Sequence, residues 1–279
     1  MPIPKVAVVQ DLSGLGKCSL TAAIPILSVM GVQACPLPTA ALSNQTGFSS
    51  YACADLSSHL NAFLEEWEKR QVKFDGIFTG FLDGVTQTER LHHWIAQTRT
   101  TQTLVLVDPV LGDHGQLYPV FDRAMCQAVG RLVELADVIT PNLTEACLLT
   151  GMDYAQAERA EGFALIGQIA KKLLAQGPRT VVITGIHRDG QIINAAYTPE
   201  GSWRVGSPQI GCSHYSGTGD ILSSVVCAGL VRGQPIDHVL HKAVQLLEQG
   251  LRQTCHEKTD PNEGIAFEPY LHELWEREE

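Results

Sequence analysis

The chain has 279 residues, a formal net charge of −10, 44% hydrophobic residues and 18% charged residues, which is typical of a globular protein with a large buried core. The excess of acidic residues argues against nucleic-acid binding, because phosphate contacts need clustered Lys and Arg. The sequence has no run of about 18 apolar residues, so we expect no membrane span.

Short apolar runs alternate with helical patterns along most of the chain. Strands are predicted at residues 6–10, 33–38, 76–80, 104–108, 137–140 and 180–184. Helices are predicted at 20–30, 55–70, 86–98, 121–135, 161–176, about 220–231 and 236–256. The segments QIINAAYTP and SWRVGSP indicate a short antiparallel pair of strands before the last two helices. The alternation predicts a three-layer α/β fold, with a central, mostly parallel sheet between helices and a small flap. No linker divides residues 1–279, so we expect one domain.

The segments that follow the predicted strands are rich in Gly, Asp, Asn and Thr. They read QDLSGLGK, PTAALSNQTGF, TGFLDG, DPVLGDHG, TPNLTEA and TGIHRDG. A turn explains any one of them, since turns favour the same residues. Because the carboxyl ends of parallel strands meet at one edge of a sheet, their recurrence predicts a ligand site there.

The first segment, QDLSGLGK, has the appearance of a phosphate-binding loop. A P-loop, G-x-x-x-x-G-K-[ST], would place its first Gly at Asp11 and its Ser or Thr at Cys18, so two defining positions fail. The charge of Asp11 would also repel a phosphate. The dinucleotide fingerprint G-x-G-x-x-G fails too, with Ser19 at its third Gly, which argues against a nicotinamide dehydrogenase.

The segment HYSGTGDILSSVVCAGLVRG is a better candidate for phosphate binding. Gly217, Thr218 and Gly219 open an apolar helix, where bare backbone N–H groups and the positive end of the helix dipole form an anion hole. Asp220 follows, where a carboxylate can accept the proton of an attacking hydroxyl. An acidic first-turn residue that completes the helix cap is an equally simple interpretation of Asp220.

Gly217 to Asp220 resembles the anion-hole motif of the ribokinase-like kinases, and three other segments resemble their pyridoxal kinase branch. LSNQTGF (42–48) is similar to the substrate loop F-S-N-H-T-G-Y, and DPVLGD (108–113) to D-P-V-[LM]-G-[DH]. ADVITPNLTEACLLTG (136–151) is similar to A-D-I-I-T-P-N-x-x-E-x-x-x-L-[ST]-G. The resemblance implies a ribokinase-like fold and phosphorylation of the 5′-hydroxyl of a B6 vitamer, with ATP, Mg²⁺ and a monovalent cation (K⁺ or Na⁺).

The resemblance also implies a role for each matched residue. The catalytic base would be Asp220, with anion-hole N–H groups from Gly217, Thr218 and Gly219. The cations would be held, largely through water, by Asp108 and Glu145. The nucleotide would be bound by Asp113, Thr140, Asn142 and Thr184, and the vitamer by Asp11, Asn44, Thr46 and Phe81. Plain alternatives are a strand-end turn at Asp108, a first-turn helix acid at Glu145, and turn formers at Asn44 and Thr46.

The chain departs from the family at Asp11. The family commonly has Gln-Ser where this chain has Gln10-Asp11, and its Ser contacts the ring-nitrogen side of the vitamer. Because an Asp can accept a hydrogen bond from a protonated pyridine nitrogen, we expect Asp11 to pair with it. The departure leaves the substrate open, with a kinase of hydroxymethylpyrimidine from a related branch as the alternative. A non-catalytic vitamer- or nucleotide-binding protein on the same fold is a separate alternative, against which the Gly217–Asp220 motif, Asp108 and Glu145 argue.

The remaining signals concern compartment and assembly. The eight cysteines form no C-x-x-C pair, and no signal peptide is visible, so we expect small hydrophobic cysteines in a reducing cytosol. Apolar residues around the rim and the flap favour a homodimer. We interpret Cys212, just before the anion hole, as a loop residue, with addition to a pyridoxal aldehyde as the alternative. The tail LHELWEREE is predicted to be a short amphipathic helix docked on the body.

Overall fold

The computed structural model describes residues 2–210 and 215–275. Its strands, in chain order, are β1 (Lys5–Leu15), β2 (Gln33–Asn44), β3 (Cys53–Asp55), β4 (Gly76–Thr79), β5 (Leu104–Val107), β6 (Gly112–Asp113), β7 (Gln116–Leu117), β8 (Val138–Ile139), β9 (Thr180–Arg188), β10 (Gln191–Tyr197) and β11 (Ser202–Pro208). Its α-helices are α1 (Ser19–Val29), α2 (Leu60–Lys69), α3 (Val85–Thr98), α4 (Arg123–Leu135), α5 (Leu143–Thr150), α6 (Tyr154–Arg159), α7 (Ala164–Leu174), α8 (Thr218–Val231) and α9 (Ile236–Glu257). Two 3₁₀ helices, Pro261–Glu263 and Glu268–Leu274, follow α9.

Within the described residues the central sheet has nine strands, in the order β11-β10-β9-β8-β5-β4-β1-β2-β3. Strands β2, β1, β4, β5, β8 and β9 run parallel, whereas β3, β10 and β11 are antiparallel to their neighbours. The chain passes from β1 outward to β2 and β3, and the strands from β4 onward extend the sheet from the other side of β1. This reversal creates a crevice at the carboxyl ends of β1 and β4, where ligands bind in such sheets.

The two faces of the sheet bury separate cores, because successive side chains of a strand point to opposite faces. Val6, Val8 and Phe78 pack in the core that includes residues of α1, α8 and α9. Ala7 and Val9 pack in the core that includes residues of α3, α4 and α7. The unbroken apolar runs predicted a parallel sheet with helices on both faces, because such strands are buried on both sides. The two cores confirm this prediction.

The flap is formed by the ends of β1 and β2 together with β3. Beyond the register shift at Asp11, β1 stays paired with β2 as far as Leu15 and Asn44. The prediction that β1 ends at Gln10 and β2 at Pro38 was therefore wrong. Each strand satisfies the backbone hydrogen bonds of the other, which outweighs the low strand propensity of Asp and Gly here.

The C-terminal tail packs on the body of the protein, and most of the described cysteines are free. The described part of the tail forms the second 3₁₀ helix, and the buried side chain of Leu274 docks it. Six of the described cysteines are free, but Cys255 is disulfide-bonded, which departs from the sequence-based expectation. Among the described helices, none combines the length and apolar character needed to cross a bilayer.

Candidate active site

The N-terminus of α8 lies at the carboxyl edge of the sheet. Gly217, the residue before the helix, has a left-handed backbone (φ 81°), and no described side chain caps the helix. A Cβ atom at Gly217 would overlap the carbonyl oxygen of Lys17, so glycine is required for this close approach. The first-turn N–H groups of α8 are therefore available to an anion, as the Gly217–Gly219 motif predicts.

Asp220 lies in the first turn of α8 and is half-buried. Burial of its carboxyl group, followed by the negative charge of Asp108, raises its pKa to about 7, and Asp11 adds a smaller contribution. A hydrogen bond from the backbone N–H of Ser19, the first residue of α1, opposes the rise. A carboxylate with a pKa near 7 can accept the proton of an alcohol at neutral pH.

Asp108 follows β5 and is buried beneath the same helix. The hydroxyl oxygen of Ser223 lies 2.8 Å from Oδ2 of Asp108 and 2.8 Å from Oγ1 of Thr140. Ser223 and Asp220 are three residues apart and share one face of α8. This face of α8 therefore presents the candidate base and the bridging hydroxyl to the ends of β5 and β8.

Glu145 is buried at the start of α5 and holds two segments together. Its Oε1 accepts a hydrogen bond from the N–H of Leu111 (3.1 Å), and its Oε2 accepts one from the N–H of Asn142 (2.8 Å). The N–H of Glu145 donates in return to Oδ1 of Asn142 (2.9 Å), which completes a capping box. The helix-acid interpretation of Glu145 is thus realised, while its oxygens keep lone pairs for a water molecule.

The carboxylates at this edge fit a cation bound mainly through water. Among the described residues, no three His, Cys, Asp or Glu side chains converge closely enough to hold a metal ion directly. Burial and then the charge of Asp108 raise the pKa of Glu145 well above its ordinary value, and Asp113 adds to this. Burial likewise raises the pKa of Asp108. A hard cation with its waters would relieve the repulsion among these groups.

The residues predicted for the nucleotide line this edge beyond Asp108. Asp113 lies on β6, and its Oδ1 accepts a hydrogen bond from the N–H of His114 (2.8 Å). Asn142 donates from Nδ2 to the carbonyl of Gly112 (2.8 Å) and forms a β-bridge with Thr184. The structure therefore brings Asp113, Asn142 and Thr184 into one connected region.

Tyr118 is a member of the site that the sequence does not single out. Although 37% of its surface is exposed, burial and then the charges of Glu145 and Asp113 raise the pKa of its phenol, with smaller effects of Asp108 and Asp220. The charges of the site's carboxylates therefore act on this phenol. The one sequence signal was an aromatic residue shortly after DPVLGD.

Of the residues predicted to bind the vitamer, Asp11 lies nearest to the start of α1. Asp11 is buried, and its carboxylate oxygens accept hydrogen bonds from the hydroxyls of Ser13 (2.8 Å) and Ser19 (2.5 Å). Asp11 thus lies beside the N-terminus of α1, close enough to affect Asp220.

The substrate loop (residues 42–48) and Phe81 form the other side of this region. Asn44 donates from Nδ2 to the carbonyl of Ser50 (2.9 Å), whereas Thr46 is exposed. Phe81 is half-buried, with its ring 5.6 Å from that of Phe121. The turn-forming interpretation therefore accounts for the contacts of Asn44. Cys212 and its neighbours Ser213 and His214 lie outside the described residues.

Comparisons with known proteins agree with this fold. The model of the phosphomethylpyrimidine kinase family matches residues 20–264. A pyridoxal kinase from Rubrobacter xylanophilus is 28% identical over 89% of this chain and 88% of its own length. A solved structure of a candidate phosphomethylpyrimidine kinase from Bacteroides thetaiotaomicron, in a crystal form with pyridoxal, is 39% identical, with a TM-score of 0.92 over 98% of this chain and 96% of its own. The pyridoxal kinase of Lactobacillus plantarum is 34% identical, with a TM-score of 0.88 over 98% and 96%.

The fold and the relatives define a kinase with the ribokinase-like fold, which confirms the resemblance seen in the sequence. Within that class, the chain belongs to the phosphomethylpyrimidine kinase family.

Proposed function

We propose that the protein is a pyridoxal kinase, which transfers the γ-phosphoryl group of ATP to the 5′-hydroxyl of pyridoxal, pyridoxine or pyridoxamine. The observation that carries the proposal is the position of Asp220 near Asp108 in the first turn of α8, three residues after Gly217, which no described side chain caps. The pyridoxal kinases among the relatives, and the pyridoxal in the Bacteroides crystal form, support a B6 vitamer as the acceptor.

Positioning and charge stabilisation provide most of the catalysis in this mechanism, since phosphoryl transfer passes through a loose transition state. Asp220 accepts the proton of the attacking alcohol. The N–H groups at Gly217, Thr218 and Gly219 stabilise the charge on the transferred phosphoryl group.

The cations and the nucleotide bind on the Asp108 side of the site. Asp108 and Glu145 would hold Mg²⁺ and a monovalent cation, K⁺ or Na⁺, largely through water. Bound Mg²⁺ neutralises charge on the phosphates. The triphosphate is held by Asp113, Thr140, Asn142 and Thr184.

The vitamer lies between Asp11 and the substrate loop. The carboxylate of Asp11 faces the ring nitrogen, with Ser13 and Ser19 fixing its orientation through their hydroxyls. The other vitamer contacts are made by Asn44, Thr46 and Phe81.

The flap provides support for a homodimer. Leu12, Leu15 and Tyr51 expose 40%, 51% and 48% of their surfaces, and all three lie on or beside the flap. Exposed apolar side chains in one part of a fold favour an interaction surface there. We place the dimer in the cytoplasm, which the six free cysteines favour, whereas the disulfide at Cys255 argues against a reducing compartment.

A steady-state assay with MgATP tests the function. We expect the highest kcat/KM with one of pyridoxal, pyridoxine and pyridoxamine. Highest activity with hydroxymethylpyrimidine would instead support the second candidate function, which the family description and a 27% identical Staphylococcus aureus hydroxymethylpyrimidine/phosphomethylpyrimidine kinase favour. Vitamer binding without ATP consumption would indicate a binding protein.

A further inference from the structure

A segment near the C-terminus packs against the anion hole. We call residues 260–268 the C-terminal strap; it contains the first 3₁₀ helix, capped by Asp260. The carbonyl oxygen of Pro261 accepts a hydrogen bond from the N–H of Ser216, directly before Gly217 (3.1 Å). Gly264 has a left-handed backbone (φ 79°), and a Cβ atom there would lie 3.1 Å from the backbone nitrogen of Lys17. The strap thus touches both segments that meet at the anion hole.

The same strap also binds the substrate loop, through Gln45. The amide nitrogen of Gln45 donates to the carbonyl oxygen (3.2 Å) and to Oδ1 (3.0 Å) of Asn262. The amide oxygen of Gln45 accepts a hydrogen bond from the N–H of Gly47 (2.7 Å). Gln45 is only 8% exposed, and a Cβ atom at Gly47 would overlap Oδ1 of Asn262. The loop and the strap are therefore in close and specific contact.

Asn262 is itself held in place for this contact. Its backbone N–H and its Nδ2 both donate to Oδ1 of Asp260, at 2.9 and 3.0 Å. This fixes the side chain with Oδ1 directed at Gln45. The pyridoxal kinase motif F-S-N-H-T-G-Y has His at the position of Gln45, and a Gln provides two N–H donors and one acceptor on a single amide. The exposed ion pair between Lys17 and Glu268 (3.0 Å) adds little, since such pairs are weak in water.

We propose that Asn262 is a positioning residue for the acceptor substrate: through Gln45 it holds the substrate loop at a fixed distance from the anion hole. This inference rests on the proposed function, because it assumes that residues 42–48 contact the vitamer. A small misplacement of the acceptor relative to the phosphoryl group has a large effect on transfer. The strap connects the substrate loop with the anion hole, because Asn262 contacts the loop and its neighbour in the chain, Pro261, contacts Ser216.

Substitution of Asn262 tests the proposal. Asn262→Ala removes one acceptor and the bond to Asp260, but keeps the main-chain contact of Pro261 with Ser216. We expect the KM and the equilibrium dissociation constant for pyridoxal to rise about three- to tenfold, as for loss of one neutral hydrogen bond, with an unchanged KM for ATP. Asn262→Asp keeps an acceptor for Gln45 but places a second carboxylate against Oδ1 of Asp260, so it should restore the affinity only in part. Glu263→Ala, an exposed change in the same 3₁₀ turn, is the matched control.

A double-mutant cycle separates positioning from general destabilisation. If the two side chains act together, Asn262→Ala should add little to the effect of Gln45→Ala. An unchanged KM and dissociation constant for pyridoxal in Asn262→Ala, or a lower Tm as its only effect, would overturn the inference. Failure of the wild-type protein to phosphorylate any vitamer would instead overturn the proposed function. If that protein accepts hydroxymethylpyrimidine, the same comparison of KM values with that substrate decides the role of Asn262.

Discussion

Replacing Asp220 with Asn is expected to stabilise the metal-free protein at pH 8 while it lowers activity. Burial and the charge of Asp108 raise the pKa of Asp220 to about 7, against an ordinary value of 3.8 that we assign to the unfolded chain. Between these two values the folded state binds more protons than the unfolded state, so its stability falls as the pH rises. The destabilisation is complete above about pH 7 and absent below about pH 3.8. An Asn side chain is neutral throughout and avoids it.

The size of the effect follows from the pKa. A rise from 3.8 to about 7 corresponds to about 4 kcal/mol against the charged form. Asp220 is only half-buried and the charge of Asp108 itself varies with pH, so solvent screening reduces the expected gain to about 1–3 kcal/mol. For a chain of this size each kcal/mol changes the Tm by about 2–4 °C.

Thermal unfolding with a chelator present, from pH 4.5 to pH 8.5, measures this gain. The Tm difference between Asp220→Asn and the wild type should grow with pH, whereas an exposed control, Glu161→Gln, should show a constant difference. A lower Tm of Asp220→Asn at pH 8, or a difference that is the same at pH 5 and pH 8, would refute the reasoning. The kcat of the same variant should fall about 10²–10⁴-fold, and wild-type turnover would contradict the role of base.

Three further substitutions test the site. Ser223→Ala should raise the Mg²⁺ concentration needed for half-maximal rate by about three- to tenfold, since it removes the hydroxyl that bonds to Asp108. Ser224→Ala should not, because the hydroxyl of Ser224 bonds to a main-chain carbonyl. Equal Mg²⁺ titrations of the two variants would contradict this. Gly217→Ala should lower the free energy of unfolding by about 2 kcal/mol or more, because its φ is positive and a methyl group meets a carbonyl, whereas Gly219→Ala has open space and should be tolerated in urea unfolding. Asp11→Ser should weaken pyridoxal binding in a fluorescence titration, and an unchanged dissociation constant would argue against pairing with the ring nitrogen.

The sheet was predictable from the sequence because its central strands are unbroken apolar runs. The extension of β1 and β2 into the flap was not, because the pairing of β1 with β2 beyond Asp11 depends on a partner more than twenty residues away. Helix α5 was also absent from the predicted helices. It has only eight residues, and its capping box, formed by Asn142 and Glu145, is a local signal that the family motif concealed.

The centre of the site was more accessible to sequence reasoning than its surroundings. Gly217 and Asp220 lie in one short motif, so their proximity is fixed by the helix that they begin. Tyr118 joins the carboxylates only through tertiary structure. The contacts of Asp11 with Ser13 and Ser19 require the bend of β1 toward α1, which no local pattern encodes.

The close approach of Gly217 to the main chain at Lys17 has a consequence for altering the choice of acceptor. The turn that leads from β1 into α1 also packs against the proposed phosphate site. An insertion or deletion in this turn would therefore displace both the turn and the start of α8. To make the enzyme accept a different alcohol, the length of segment 14–18 should therefore be kept, and side chains around the acceptor should be varied instead. Position 11, whose side chain bonds to the hydroxyls of Ser13 and Ser19, is the natural first choice, since substitution there leaves the length of the turn unchanged.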